Sequence, residues 1–406
     1  MQRPNVWRAL VSGVALVTSL TLVRSPLAAQ DTTKVAKADT APTPPPPAAA
    51  PALPFDFSGV IYTNFQKGGL KGARAQDRFD LERAYLTLKG SAGEHVSWRI
   101  TADVYQQRDT AASSFYRGWA LRAKYAYVQY DYLRGLGEEM KANVRLGLVH
   151  TVMIDHEENA GDHGAWPRGI SQVAVEQQGF FSSSDDGIAT TVSFPHKMGE
   201  LYATITNGTG YASRELDRFK DYAARLTLTP LAKHYGYFKG LDISPWISVG
   251  NRASDFADRN HGTVKRVDEG LRRDRYGLLV IVKDPRLTLG AHMARRIDVI
   301  ESADTTRATV PTTTERTGNV NSIYAMVKPL AFINSAPNWP VSFLLRADNV
   351  KPDRTTDPYQ RFYVTGVTWE LNKKTSVTFD YQTQEPKNGS RAPDLKTYYL
   401  HVIANF

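Results

Sequence analysis

The chain has 406 residues, 42% of them apolar, a mean hydropathy of −0.39 and a formal charge of +9. It has no cysteine, which excludes disulfides, thiolate metal sites and cysteine nucleophiles. The negative hydropathy argues against a helical membrane protein. The mild charge, with no basic stripe or nucleic-acid motif, argues against a nucleic-acid partner.

At the start, Arg3 and Arg8 precede an apolar stretch over 9–23 and then Ser25-Pro26-Leu27-Ala28-Ala29. This reads as a secretory signal peptide over residues 1–29. A retained anchor is the alternative, for which the run is short. Residues 30–54 are rich in Thr, Ala and then Pro, including Pro42, Pro44 and Pro51. Such a stretch cannot bury a core and reads as an extended periplasmic linker.

From Phe55 the pattern changes to period-two alternation, which marks strands with one apolar face. Sixteen segments carry it: 55–65, 77–90, 95–107, 122–132, 141–150, 187–195, 199–207, 219–229, 241–250, 274–283, 286–296, 320–329, 339–349, 359–371, 374–384 and 396–406. Most are about ten residues long, enough for a tilted strand to cross the hydrocarbon of a bilayer. The connections add a second signal, because long and short ones alternate. Residues 66–76 are followed by 91–94, and 151–186 by 196–198, while 251–273 and 297–319 flank the turn at Asp284-Pro285. The fold class expected is therefore all-β: a transmembrane antiparallel β-barrel of about 16 strands over 55–406, its long loops at one end and its turns at the other.

Parity then assigns faces. Val96, Trp98, Ile100, Ala102 and Val104 face lipid in the third strand, so Ser97, Arg99, Thr101, Asp103 and Tyr105 face the lumen. Arg83, Tyr85 and Lys89 face inward on the second strand and Arg145 on the fifth. The same logic turns Arg225, His292, Arg296, Arg346, Asp348 and Asp380 inward, since a charge on the lipid face at mid-depth costs roughly 2–4 kcal/mol. Inward arginines stay charged and hold oxyanions through several donors, so they favour anions in a pore. The other reading pairs Arg83, Arg99 and Arg145 with Asp103, Asp131 and Glu82 in an ordinary charged wall.

The last segment alternates Tyr398, Leu400, Val402, Ala404 and Phe406 on one face. It resembles the C-terminal strand of outer-membrane barrels, whose final phenylalanine is read by the barrel-assembly machinery. Four further stretches occur in order: FDLERAYLTLKG at 79–90, AYVQY at 126–130, RLG at 145–147 and NGTGY at 207–211. With YVTGVTW at 363–369 and the final hairpin, they resemble the phosphate-selective porin family of the Gram-negative outer membrane. The resemblance covers roughly residues 55–406. It implies a homotrimer among lipid and lipopolysaccharide, a long third loop folded into the pore, and basic residues guiding anions. Arg83, Arg99, Arg145, Arg168, Arg225 and Arg346 are the pore-lining, anion-binding candidates.

The third loop, 151–186, departs from that family. It carries Asp155, Glu157, Glu158, Asp162, Glu176, Asp185 and Asp186 against Arg168 alone. These acids, Asp155, Glu157 and Glu158 above all, either neutralise wall arginines or bind divalent cations through hard oxygens. The first is preferred. His150, His156 and His163 are close in sequence, but polar loop histidines explain them better than a metal. No catalytic motif is present: neither His-Glu-x-x-His, nor Gly-x-Ser-x-Gly, nor a P-loop. No cofactor is expected. The function expected is a passive diffusion channel for small anionic or polar solutes. The alternative is a barrel that is only the scaffold of an enzyme or adhesin, and a secreted soluble β-protein is a third reading.

Overall fold

The computed structural model describes residues 55–72, 75–106, 118–134, 140–158, 165–213, 215, 217–234, 236–253, 270–302, 312–333, 339–354, 359–387 and 393–406. The expected signal peptide, 1–29, and the expected linker, 30–54, lie outside the described residues, as do Asp162 and His163. Sixteen antiparallel strands form one sheet that closes on itself. They are β1 (Asp56–Leu70), β2 (Gln76–Ser91), β3 (Val96–Gln106), β4 (Trp119–Arg134), β5 (Lys141–His150), β6 (Ser184–Ser193), β7 (Gly199–Thr206) and β8 (Asp221–Leu228). They continue as β9 (Leu241–Val249), β10 (Leu271–Asp284), β11 (Leu287–Ser302), β12 (Thr312–Val327), β13 (Val341–Lys351), β14 (Gln360–Glu370), β15 (Thr375–Pro386) and β16 (Leu395–Asn405). Asn251–Arg252 extends β9 beyond Gly250 and pairs with β10. Each strand pairs with its sequence neighbours, and β1 closes on β16 from Val60↔Asn405 to Leu70↔Leu395. Closure leaves no unpaired sheet edge, which a bilayer would not tolerate.

All sixteen expected segments are strands. Their ends at the short turns agree to within a few residues, but the long-loop ends differ. β1 runs on to Leu70, β11 runs to Ser302, and β12 begins at Thr312 rather than 320. There the ladder hydrogen bonds continue, as in Thr313↔Glu301 and Arg316↔Asp298. Alternation fades because nothing apolar is required outside the wall above the lipid.

The outward parity is an apolar belt. Ile100, Leu146, Ile188, Ile205, Met293, Ile323, Leu345 and Leu400 are all exposed. The inward parity is mostly buried and polar, with Thr101, Asp103, Arg225, Ser248, Arg346 and Asp380. The expected polar lumen needs one correction. On β10–β14 the inward positions Leu279, Ile281, Ala294, Val320, Leu344, Phe362 and Val364 are buried and apolar. They form one cluster with Met153, Ile154, Trp166, Ile170, Val173 and Val175 of the segment between β5 and β6. That segment holds two one-turn helices, α1 (Ile154–Glu157) and α2 (Ala174–Gln177). Burying each such side chain contributes about 1.5–3 kcal/mol.

Two bulges change what the wall presents. In β2 the pairing with β1 jumps from Arg83 to Leu81, leaving Glu82 unpaired. In β4 the pairing with β3 jumps from Tyr125 to Ala123, leaving Lys124 unpaired. A bulge re-aims the extra side chain. Here it adds a charged residue to the inward set on each strand.

Candidate functional site: the basic wall and the 151–183 segment

The inward face of β2–β5 carries Arg83, Arg99, Arg122, Lys124 and Arg145. Strict alternation places Arg83, Arg99 and Arg145 here; the bulge at Lys124 brings in Arg122 and Lys124. Their acid partner is Asp103, which is fully buried. Its Oδ2 accepts from Arg83 at 2.9 Å, from Arg122 Nε at 3.0 Å and from the Tyr211 hydroxyl at 3.4 Å. The Arg122 guanidinium sits between the Tyr105 and Tyr211 rings at 4.1 and 4.4 Å. Lys124 donates to the Tyr85 hydroxyl at 3.1 Å. Thus the first of the three expected pairings, Arg83 with Asp103, forms. Arg99 donates to Thr101 and to His150 Nε2, and Arg145 donates to Gln129 Oε1 at 2.8 Å over the Tyr127 ring. Glu82 turns to Arg168.

Arg168, Arg225 and Arg346 are committed to internal contacts. Arg168 donates to Glu82 at 2.9 Å and lies 3.5 Å from Glu158 and 3.9 Å from Glu176. Arg225 bonds Glu200 and the Val152 carbonyl. Arg346 holds Asp348 at 2.6 Å and also donates to Ser171 Oγ and the Gln172 carbonyl. Their donors are used to seat the 151–183 segment. That engages their donors within the barrel.

The segment acids make their closest contacts away from the wall arginines. They meet wall histidines and Arg168. Asp155 Oδ2 lies 2.9 Å from His150 Nδ1, and its Oδ1 accepts from Tyr125. Glu157 Oε2 lies 2.7 Å from His292 Nδ1, whose Nε2 accepts from the Trp246 indole at 3.1 Å. With Nε2 an acceptor, the His292 proton sits on Nδ1 and is donated to Glu157. His156 bonds Ser244 on β9, Arg296 of β11 donates to the Gln178 carbonyl, and Gln382 of β15 donates to the Ile170 carbonyl. Burial alone would push the Asp155 carboxyl up, but His150, Arg99 and Lys124 outweigh it and hold it below the ordinary range. Burial and then Glu176 push the Glu158 carboxyl well up, against the pull of Arg168 and Lys124. Burial would lower the Arg168 guanidinium, yet Glu158 and its other neighbours prevail and keep it firmly charged. Among the described residues no group of His, Asp and Glu is arranged to hold a metal ion.

A cavity of about 1100 Å³ opens beside this segment toward the short-turn end of β5–β10. Seven Arg or Lys residues line it, among them Arg99, Lys141, Arg145, Lys197 and Lys239. Three carboxylates face them: Asp155, Glu200 and Asp242. Sequence reasoning missed Lys141, Lys197, Lys239, Arg122 and Lys124. The first three lie at strand ends and turns, where parity carries no signal. The other two depend on a bulge.

No family model matches the chain, and no curated protein matches its sequence. Solved structures match by fold. OmpF of Salmonella typhi, solved with daunomycin, superposes with a TM-score of 0.56 at 11% identity, covering 87% of this chain and 97% of its own. An anion-selective porin from Comamonas acidovorans gives 0.55 at 12%, covering 87% and 99%. OprB of Pseudomonas putida, in a high-pH structure, gives 0.56 at 10%, covering 87% and 94%. The fold is that of the outer-membrane porins, and the apolar belt places this barrel in a membrane.

Proposed function

We propose that this protein is a passive diffusion channel of the Gram-negative outer membrane that favours small anions. The observation that carries the reading is the seven-to-three excess of bases over acids around the larger cavity. In a low-dielectric barrel such an excess concentrates anions and repels cations. The 151–183 segment, tied to β2, β8, β9, β11, β13 and β15, is proposed to lie in the lumen and to narrow it to the side bounded by β3–β9. Arg99 and Arg145 are the wall arginines left to act on solutes, with Arg83 and Arg122 sharing Asp103. The similarity to an anion-selective porin supports this direction through fold alone.

Phosphate is one anion such a wall would accept, and a homotrimer is the assembly the family resemblance suggests. Phe406 remains the proposed signal to the assembly machinery. Its backbone exchanges hydrogen bonds with Gly59 at 3.0 and 3.1 Å, so the final residue also helps to close the barrel. Single-channel recording of the refolded barrel across a KCl gradient tests the reading. A reversal potential on the chloride side, with current reduced by added phosphate, is the expected result. Folded barrels that do not conduct would favour the scaffold alternative.

A further inference from the structure

A second cavity, of about 340 Å³, lies on the long-loop side of the same segment. Its wall is built in two rungs. Thr204, Ala223, Ser248 and Arg275 stand in register across β7, β8, β9 and β10. One step toward the long loops come Thr206 and Asp221, with Arg273 beside Gly250. Phe180, Phe181 and Val152 of the 151–183 segment give it an apolar side.

The charges of this cavity differ in kind from those of the larger one. Two arginines, Arg273 and Arg275, face two aspartates, Asp185 and Asp221, so there is no net sign to attract a simple ion. Both signs nevertheless carry unmet capacity. Arg275 is 6% exposed and donates through Nη2 to Asp298 at 3.0 Å, while its Nε and Nη1 have no partner. Asp221 is 7% exposed and accepts from Arg273 through Oδ2 at 2.7 Å, while its Oδ1 has no partner. A buried polar group left unpaired costs about 1–3 kcal/mol, and more when charged. A guest carrying both an anionic and a cationic end would relieve both deficits at once.

We propose that this cavity is a subsite for a small zwitterion, an α-amino acid with a short apolar side chain, whose carboxylate meets Arg275 and whose ammonium meets Asp221. The side chain would lie against Phe180 and Phe181. The assignment rests on the channel reading for its purpose, since it places an amino-acid subsite in the permeation path, but its binding chemistry stands apart.

The test is calorimetric titration of the detergent-folded full chain with L-valine. Its two halves serve as controls: 3-methylbutanoate, which lacks the ammonium, and isobutylamine, which lacks the carboxylate. Valine is expected to bind at least tenfold more tightly than either, and Arg275→Gln and Asp221→Asn are each expected to weaken it at least tenfold. Valine binding no tighter than its fragments to the folded wild-type barrel would overturn the proposal, whether or not the variants fold. So would folded variants that bind valine as the wild type does. Conductance of the same preparation separates the two readings. Conduction without valine selectivity removes the subsite and leaves the channel. Valine binding without conduction leaves the subsite and removes the channel.

Discussion

At the scale of single residues, the positive charges of this barrel have separated into two roles. Arg168, Arg225 and Arg346 are buried and hold carboxylates or carbonyls of the 151–183 segment. Arg99 and Arg145 donate to neutral partners. Asp155 links the roles, because it anchors the segment beside Arg99. Its carboxyl is held below its ordinary value near 3.8, so the stabilisation it gives is present above that value. That stabilisation is lost as pH falls through the depressed value. Hydrogen exchange over residues 150–158 should therefore stay slow at pH 5–7 and quicken in strong acid. Asp155→Asn should exchange faster than wild type above pH 4 and lose the acid-dependent step, at a cost of about 1–3 kcal/mol. An unchanged acid limb in the variant would remove Asp155 from this role.

At the scale of elements, the 151–183 segment is seated by shape as well as by charge. Gly169 is the closest fit. A Cβ there would stand 2.5 Å from the Ile403 side chain of β16 and from the Tyr62 ring of β1. Gly169→Val should force the segment off that wall at a cost of about 1–3 kcal/mol, as overpacking does. The expected readout is noisier and larger single-channel current, with the barrel itself still folded. A quiet channel of wild-type conductance would mean that the segment does not limit flow. The apolar seat was partly legible. Leu278, Leu279, Val280, Ile281 and Val282 form an unbroken apolar run in β10, the mark of a strand buried on both faces. The rest of the seat was not legible, because Leu344 and Phe362 gain meaning only from a segment some 170–200 residues away in sequence.

At the scale of the whole molecule, the architecture was written in the sequence more plainly than the site. Period-two alternation and the rhythm of long and short connections define sixteen strands, because a bilayer enforces both along the chain. Nothing comparable enforces the ends of strands above the lipid, so β1, β11 and β12 outrun their alternation. Which inward arginine is spent and which is open depends on bulges at Glu82 and Lys124 and on contacts across the barrel. Periodicity carries none of this. The belt itself is testable at Leu146, which is 64% exposed in the middle of β5. Leu146→Arg should cost about 2–4 kcal/mol in a folding titration into bilayers, whereas the inward Thr191→Arg should cost much less. Equal costs at the two positions would contradict the assigned faces.

The central claim is that the basic residues around the larger cavity stand in the path of the ions. The most direct measurement is the zero-current potential of the triple variant Lys141→Gln, Arg145→Gln, Lys197→Gln across a KCl gradient, beside wild type. Removing three of the seven lining bases leaves four against three acids, close to balance. The account predicts a wild-type potential on the chloride side that moves most of the way to zero in the variant, at similar conductance. A variant that keeps the wild-type potential would contradict it, placing the ion path elsewhere in the barrel.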